Sequence, residues 1–136
     1  MANLYLDVLD FHMKYKLPFA ETPQLLNSEL HDFRVKFLKE ELKEYIDAWE
    51  DDDLVKAADA LVDLVYVALG TAAFMGVPFN ACWAPVQYAN MNYKRRATAV
   101  DQSTRQSTFD VVKLPNFVPP DEEIKKILIA AGAKIS

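Results

Sequence analysis

The sequence predicts an all-α fold, a bundle of four to five helices with residues 1–136 forming one domain. Three observations carry that expectation. Only three glycines occur in 136 residues, too few for the repeated tight turns of a sheet protein. Apolar residues recur at three- and four-residue steps through most of the chain. Proline and glycine mostly fall between these periodic stretches, as at Pro18, Pro23, Gly76, Pro78 and Gly132, with Pro85 and Gly70 inside them.

The first stretch, residues 3 to 16, places Leu4, Val8, Phe11 and Tyr15 at helical spacing before Pro18 and Pro23 interrupt it. From Asn27 or Ser28, each suited to an N-cap, a second helix is expected to about Glu50, with Leu38, Leu42, Tyr45 and Trp49 on one stripe. The triplet Asp51-Asp52-Asp53 supplies a turn, a cap and acids matched to the positive end of the next helix. That third helix runs to about Met75, where Gly76 and Pro78 stop it, and its apolar stripe is Val62, Val65, Tyr66, Leu69 and Ala73. So short a connection makes helices two and three an antiparallel hairpin. A fourth helix is expected over Asn80 to Ala97, perturbed early by Pro85. An extended loop follows over residues 98 to 119, and a last helix covers Asp121 to Ala131, ending at Gly132.

Half of the residues are hydrophobic and a quarter charged, which is globular rather than disordered composition. A net charge of −5 opposes binding to nucleic acid. The lone Cys82 has no internal disulfide partner, and the N-terminal stretch lacks a secretory pattern, so the cytoplasm, a host's if the protein is viral, is the expected setting. The apolar run from Ala57 to Met75 approaches membrane-spanning length. Asp59 and Asp63 within it would each cost about 2.5–3.5 kcal/mol near a bilayer centre, so a helix buried in protein is expected, not a membrane span.

Those two acids need a reason to be there, because aspartate is a poor helix former and both interrupt an Ala, Leu and Val run. Four residues apart, they share one helix face; Glu41 and Glu44, three apart on helix two, share another beside the apolar stripe. The hairpin brings the two pairs together. Carboxylates converging beside a low-dielectric core repel one another unless protonated or bound to a hard divalent cation, for which Mg2+ or Mn2+ is expected. Taken alone, Glu41 and Glu44 read as a solvated face paired with Lys39 and Lys43. Glu40 reads equally as a surface acid or as a base aimed at a water. His12 and His31 are isolated and are expected to be structural or exposed.

The stretch Arg34 to Glu44 (RVKFLKEELKE) carries Glu-Glu-x-x-Glu at Glu40, Glu41 and Glu44, and residues 59–70 (DALVDLVYVALG) carry Asp-Ala-x-x-Asp-x-x-Tyr-Val. In these, and in Asn90-Met91 with Lys94, Asp110 to Lys113 and Pro119-Pro120-Asp121, the chain resembles the all-α nucleoside triphosphate pyrophosphohydrolases. That superfamily includes MazG, the dimeric dUTPases and phosphoribosyl-ATP pyrophosphohydrolase, and the resemblance is nearest to its HisE-like phage branch and the cyanophage MazG-like enzymes. The MazG form has Glu-x-x-Asp in its second motif, whereas this chain has Ala60 there and its earlier acid at Asp59.

The resemblance implies hydrolysis of a nucleoside triphosphate between the α and β phosphates, giving a monophosphate and pyrophosphate. It makes Glu41, Glu44 and Asp63 metal ligands, with Asp59 the substitute fourth, and gives Glu40 the role of water activator. Asn90, Lys94, Lys113 and Tyr66 are the expected substrate contacts, while Arg95 and Arg96 read as a solvated basic helix end. It also implies a homodimer or homotetramer. The first-choice substrate is dGTP or GTP in a phage-type nucleotide pool; the alternatives are dUTP, dCTP or phosphoribosyl-ATP, and, from another class, a non-catalytic helical interaction module.

Overall fold

The computed structural model describes residues 3–136. The helices are α1 (Leu4–Lys14), α2 (Ser28–Glu50), α3 (Leu54–Met75), α4 (Phe79–Asn92) and α5 (Asp121–Ala130). A small antiparallel ribbon, β1 (Lys94–Arg96) with β2 (Val111–Lys113), lies between α4 and α5 in the sequence. The fold is all-α in class, as the spacing predicts.

Local chemistry sets the helix ends. Asn27 caps α2 through its side chain, which accepts from the amide of Leu30 at 2.9 Å, and Asp53 caps α3 by accepting from the amide of Lys56 at 3.0 Å. Between them Asp52 adopts a left-handed conformation (φ 54°) and the Asp53 amide donates to the Ala48 carbonyl at 2.9 Å, which closes the hairpin tightly. At the far end of α3, Gly76 has φ 69°, and a Cβ there would stand 2.6 Å from the Ala20 carbonyl oxygen. Only glycine fits both demands. The segment it touches runs along the end of α3, with Ala20 and Gln24 amides donating to the Phe74 and Met75 carbonyls.

α3 is the central element, packed along α2 on one side and against α1 on another. It is long and apolar enough to cross a membrane, by length and composition alone, and it packs against α2 and α1. Tyr5, Val8, Leu69 and Ala73 form the buried core with Leu9, Ala72 and Phe79 against them, and the Tyr5 hydroxyl donates to the Val77 carbonyl at 2.8 Å.

The buried faces differ from the expected stripes. On α2, Leu42 and Trp49 are exposed, whereas Arg34, Glu41 and Ala48, spaced by seven, are buried. On α3, Leu69 and Ala73 are buried as expected, but Val62, Val65 and Tyr66 are not; Ala60, Val67, Gly70 and Phe74 are. The reason is steric. The buried residues of the packed α2/α3 pair include the small Ala48, Ala60 and Gly70, and small residues at a helix contact permit close approach where bulky ones do not. The large apolar residues left over, among them Leu61, Val62, Val65 and Trp83, remain on the surface.

Two expectations are corrected after α3. The fourth helix ends at Asn92 and not near Ala97, because the chain turns into β1 at Lys94. The segment 98–119 is not a plain extended loop: it holds a 3-10 turn at Val100–Gln102 and β2. Asp110 organises it, accepting from the Ser103 hydroxyl (2.6 Å), from Arg105 Nη2 (2.6 Å) and from the Val111 amide (2.8 Å). Pro85 sits inside α4, where it removes one helical hydrogen bond without ending the helix.

Candidate metal centre

Glu41 projects from the buried face of α2 and is 7 % exposed; Glu44, one turn later, is exposed, and Asp63 of α3 is half-buried. One carboxylate oxygen from each of the three lies within 4.8 Å of the others. Glu41 Oε2 is buried and has no hydrogen-bond partner. A buried carboxylate oxygen without a donor is costly, and two more acids beside it raise the cost. Burial, and then the nearby Glu44, Asp63 and Glu40 carboxylates, push the Glu41 carboxyl up to about 7. Asp63 is raised as well, by burial and then by Asp59 and Glu44.

An oxygen-only donor set with an orphaned buried oxygen and mutual repulsion suits a hard divalent cation, which satisfies the lone pairs and cancels the repulsion at once. The residues therefore fit the metal their pattern implies. Asp59 is exposed and stands outside the three-oxygen cluster. It lines, with Glu44, Asp47, Asp51 and Lys56, an adjoining cleft of about 380 Å³. Ala60 is 2 % exposed against α2, so a longer acid in its place would point into the interface. Glu40 is exposed and near enough to Glu41 to act on its charge.

The expected substrate contacts lie elsewhere on the chain. Tyr66 stacks edge-on against Phe11, with ring centroids 5.4 Å apart, and lines an apolar groove with Leu4, Val8, Val62 and Val65. Asn90 is exposed near the end of α4. Lys94 and Lys113 are paired across the ribbon. The Leu114 amide donates to the Tyr93 carbonyl, which makes the next pair, Lys94 with Lys113, a non-hydrogen-bonded pair whose side chains stand close on one face. Like charges so placed repel unless an anion lies between them. Lys113 also sits 4.6 Å over the Phe117 ring. The ribbon packs on α4. Arg95 and Arg96 are tied to their own loop through Gln102 and the Thr108 carbonyl.

His12 is 2 % exposed and packs on Phe74 and Phe19, so it is the structural histidine expected; His31 is exposed. The expected stripes do not include Arg34. It is 7 % exposed and stands seven residues before Glu41 on the same face, and only the structure shows that burial.

No curated protein matches the chain at a significant level. The family model described as phosphoribosyl-ATP pyrophosphohydrolase matches residues 8–90, from within α1 to near the end of α4, and so includes Glu40, Glu41, Glu44, Asp59 and Asp63. That span is more than half of the sequence, and the chain belongs to the phosphoribosyl-ATP pyrophosphohydrolase family of the all-α MazG-like superfamily, enzymes that cleave pyrophosphate from nucleotide-like substrates.

Proposed function

We propose that this protein hydrolyses a nucleoside or deoxynucleoside triphosphate between the α and β phosphates, with dGTP or GTP the first-choice substrate. The observation that carries the reading is the convergence of Glu41, Glu44 and Asp63 within 4.8 Å around an unpartnered buried oxygen. These three hold the ion, Mg2+ or Mn2+, and Asp59 joins them from the adjoining cleft. When bound, the ion neutralises phosphate oxygens and acidifies a water. Glu40, exposed next to Glu41, accepts the proton of the attacking water. Lys94 and Lys113 hold phosphate between them, Asn90 reads the base edge and Tyr66 packs against the nucleoside. A homodimer or homotetramer supplies this second group of residues to the carboxylates, and the apolar side chains left on the surface support that assembly.

A second reading, phosphoribosyl-ATP as substrate, is favoured by the family match itself. Incubating the protein with each ribo- and deoxynucleoside triphosphate and with phosphoribosyl-ATP, plus Mg2+ or Mn2+, tests both. Pyrophosphate and GMP or dGMP are expected. Release from phosphoribosyl-ATP alone establishes the second reading, and release from none rejects both.

A further inference from the structure

Arg34 is a buried cation without an anion. No carboxylate pairs with it among the described residues, and its guanidinium lies instead among three phenylalanine rings, 5.4 Å from Phe33, 5.4 Å from Phe37 and 5.1 Å from Phe74. A methionine or leucine fills such a space without the cost of desolvating a charge, so packing alone gives no reason for arginine. Its polar contacts do. Nη2 donates to the Val67 carbonyl at 2.8 Å and Nε to the Thr71 hydroxyl at 3.1 Å, so two bonds of fixed direction run from α2 to α3. Gly70 makes the seat, since a Cβ there would stand 2.8 Å from Nη2. A glycine in the middle of a helix is unfavourable, and here it admits one side chain.

The placement along the hairpin gives the clamp its role. Arg34 meets Gly70; seven residues on along α2 and seven back along α3 stand Glu41 and Asp63. The Asp51–Asp53 turn fixes one end of the hairpin, and the acids lie between that turn and Arg34. The fully buried residues of α2 near them are Arg34, Glu41 and Ala48, with Phe37, Leu38 and Tyr45 half-buried beside them, and among the described residues the side-chain hydrogen bonds from α2 to α3 are those of Arg34. The bonds of Arg34 fix the spacing of α2 and α3 at the end away from the turn.

We propose that Arg34 is a positioning residue: by bolting the far end of the α2/α3 hairpin to Val67 and Thr71, it holds Glu41 and Glu44 at the distance from Asp63 that one shared cation requires. The inference rests on the metal-site reading above. It extends the site by a residue two helical turns from the nearest acid.

The test uses metal-free full-length protein in a Cys82→Ser background with spin labels at exposed Asp32 and Ala68, titrated separately with Mn2+ by calorimetry. Arg34→Met and Gly70→Ala are each expected to broaden the distance distribution between the labels and to weaken Mn2+ binding about tenfold or more, as loss of a supporting group does. Helical circular dichroism stays that of the parent, and Arg34→Lys, which reaches one acceptor, restores part of the affinity. Gly70→Ala raises helix propensity while placing a Cβ 2.8 Å from Nη2, so an unfolding midpoint near the parent's together with weaker Mn2+ binding marks loss of the clamp rather than of the fold. An unchanged label distance and Mn2+ affinity in Gly70→Ala and Arg34→Met overturns the proposal. If the parent binds no Mn2+, or Asp63→Asn binds it equally well, the metal reading fails, and the label distance alone decides whether Arg34 holds the hairpin.

Discussion

Replacing Glu41 by glutamine in the metal-free protein should stabilise it at alkaline pH. The carboxyl of Glu41 lies at about 7 in the fold against 4.5 ordinarily. Since the folded-state value is the higher one, the proton on Glu41 stabilises the fold fully below pH 4.5, and that stability is lost as pH rises through about 7. The gap corresponds to roughly 3 kcal/mol at 1.36 kcal/mol per pH unit. This is a ceiling, because the titration belongs to the cluster with Glu44 and Asp63 rather than to one acid. Glutamine keeps the shape and removes the charge. Thermal unfolding in EDTA at pH 8 should therefore place Glu41→Gln above wild type, by up to about 10 °C for a chain of this size. At pH 4.5 the two should coincide. Saturating Mn2+ at pH 8 should raise the wild-type midpoint and leave the variant unmoved. A variant less stable than wild type at pH 8 in EDTA would refute the reasoning, for it would mean the charged form is well satisfied by the protein alone.

Asp63→Asn should abolish turnover with an intact helical spectrum, whereas Asp59→Asn, from outside the three-oxygen cluster, should cost less than a tenth as much in kcat/KM, about a tenfold loss at most. His12 is held below its ordinary value by burial and then by Arg34, so the fold loses stability as pH falls from about 6.5 through the folded-state value, and His12→Gln should flatten that slope in acid unfolding curves. Arg105 and Ser103 hold Asp110 at about 2, down from 3.8, so the 97–110 segment keeps its order until the pH falls below 3.8 and loses it on the way to 2; amide resonances of Ser103 and Val111 should report this. Lys94→Ala should raise KM and weaken product inhibition by pyrophosphate, while relieving the repulsion with Lys113.

Helix limits were legible where a cap or a stop is a local event: Asn27, Asp53 and Gly76 each act through backbone groups within a few residues. The buried faces were less legible. Periodicity names a stripe, but which of two neighbouring stripes is covered depends on how closely the partner helix approaches, and small residues such as Ala48, Ala60 and Gly70 decide that without standing out in a hydropathy pattern. The ribbon escaped for a related reason: strands of three residues, as at Lys94–Arg96, are set by pairing across a long loop. For the acids, spacing named Glu41, Glu44 and Asp63, which converge. It also named Asp59, which stands aside, because sharing a helix face leaves open which turn of the neighbour it meets. Arg34 needed the structure, since a basic residue in a charged helix reads as surface until its surroundings are seen.

The three-aspartate turn between α2 and α3 has a consequence for mixtures. In this fold α2 and α3 of one polypeptide form the hairpin, so the three carboxylates of a cluster come from a single chain. In oligomers assembled from wild-type and Asp63→Asn chains, the number of ions bound must therefore follow the fraction of wild-type chains in direct proportion. Any departure from a straight line in activity then belongs to groups that cross between copies, and measures them separately from the acids.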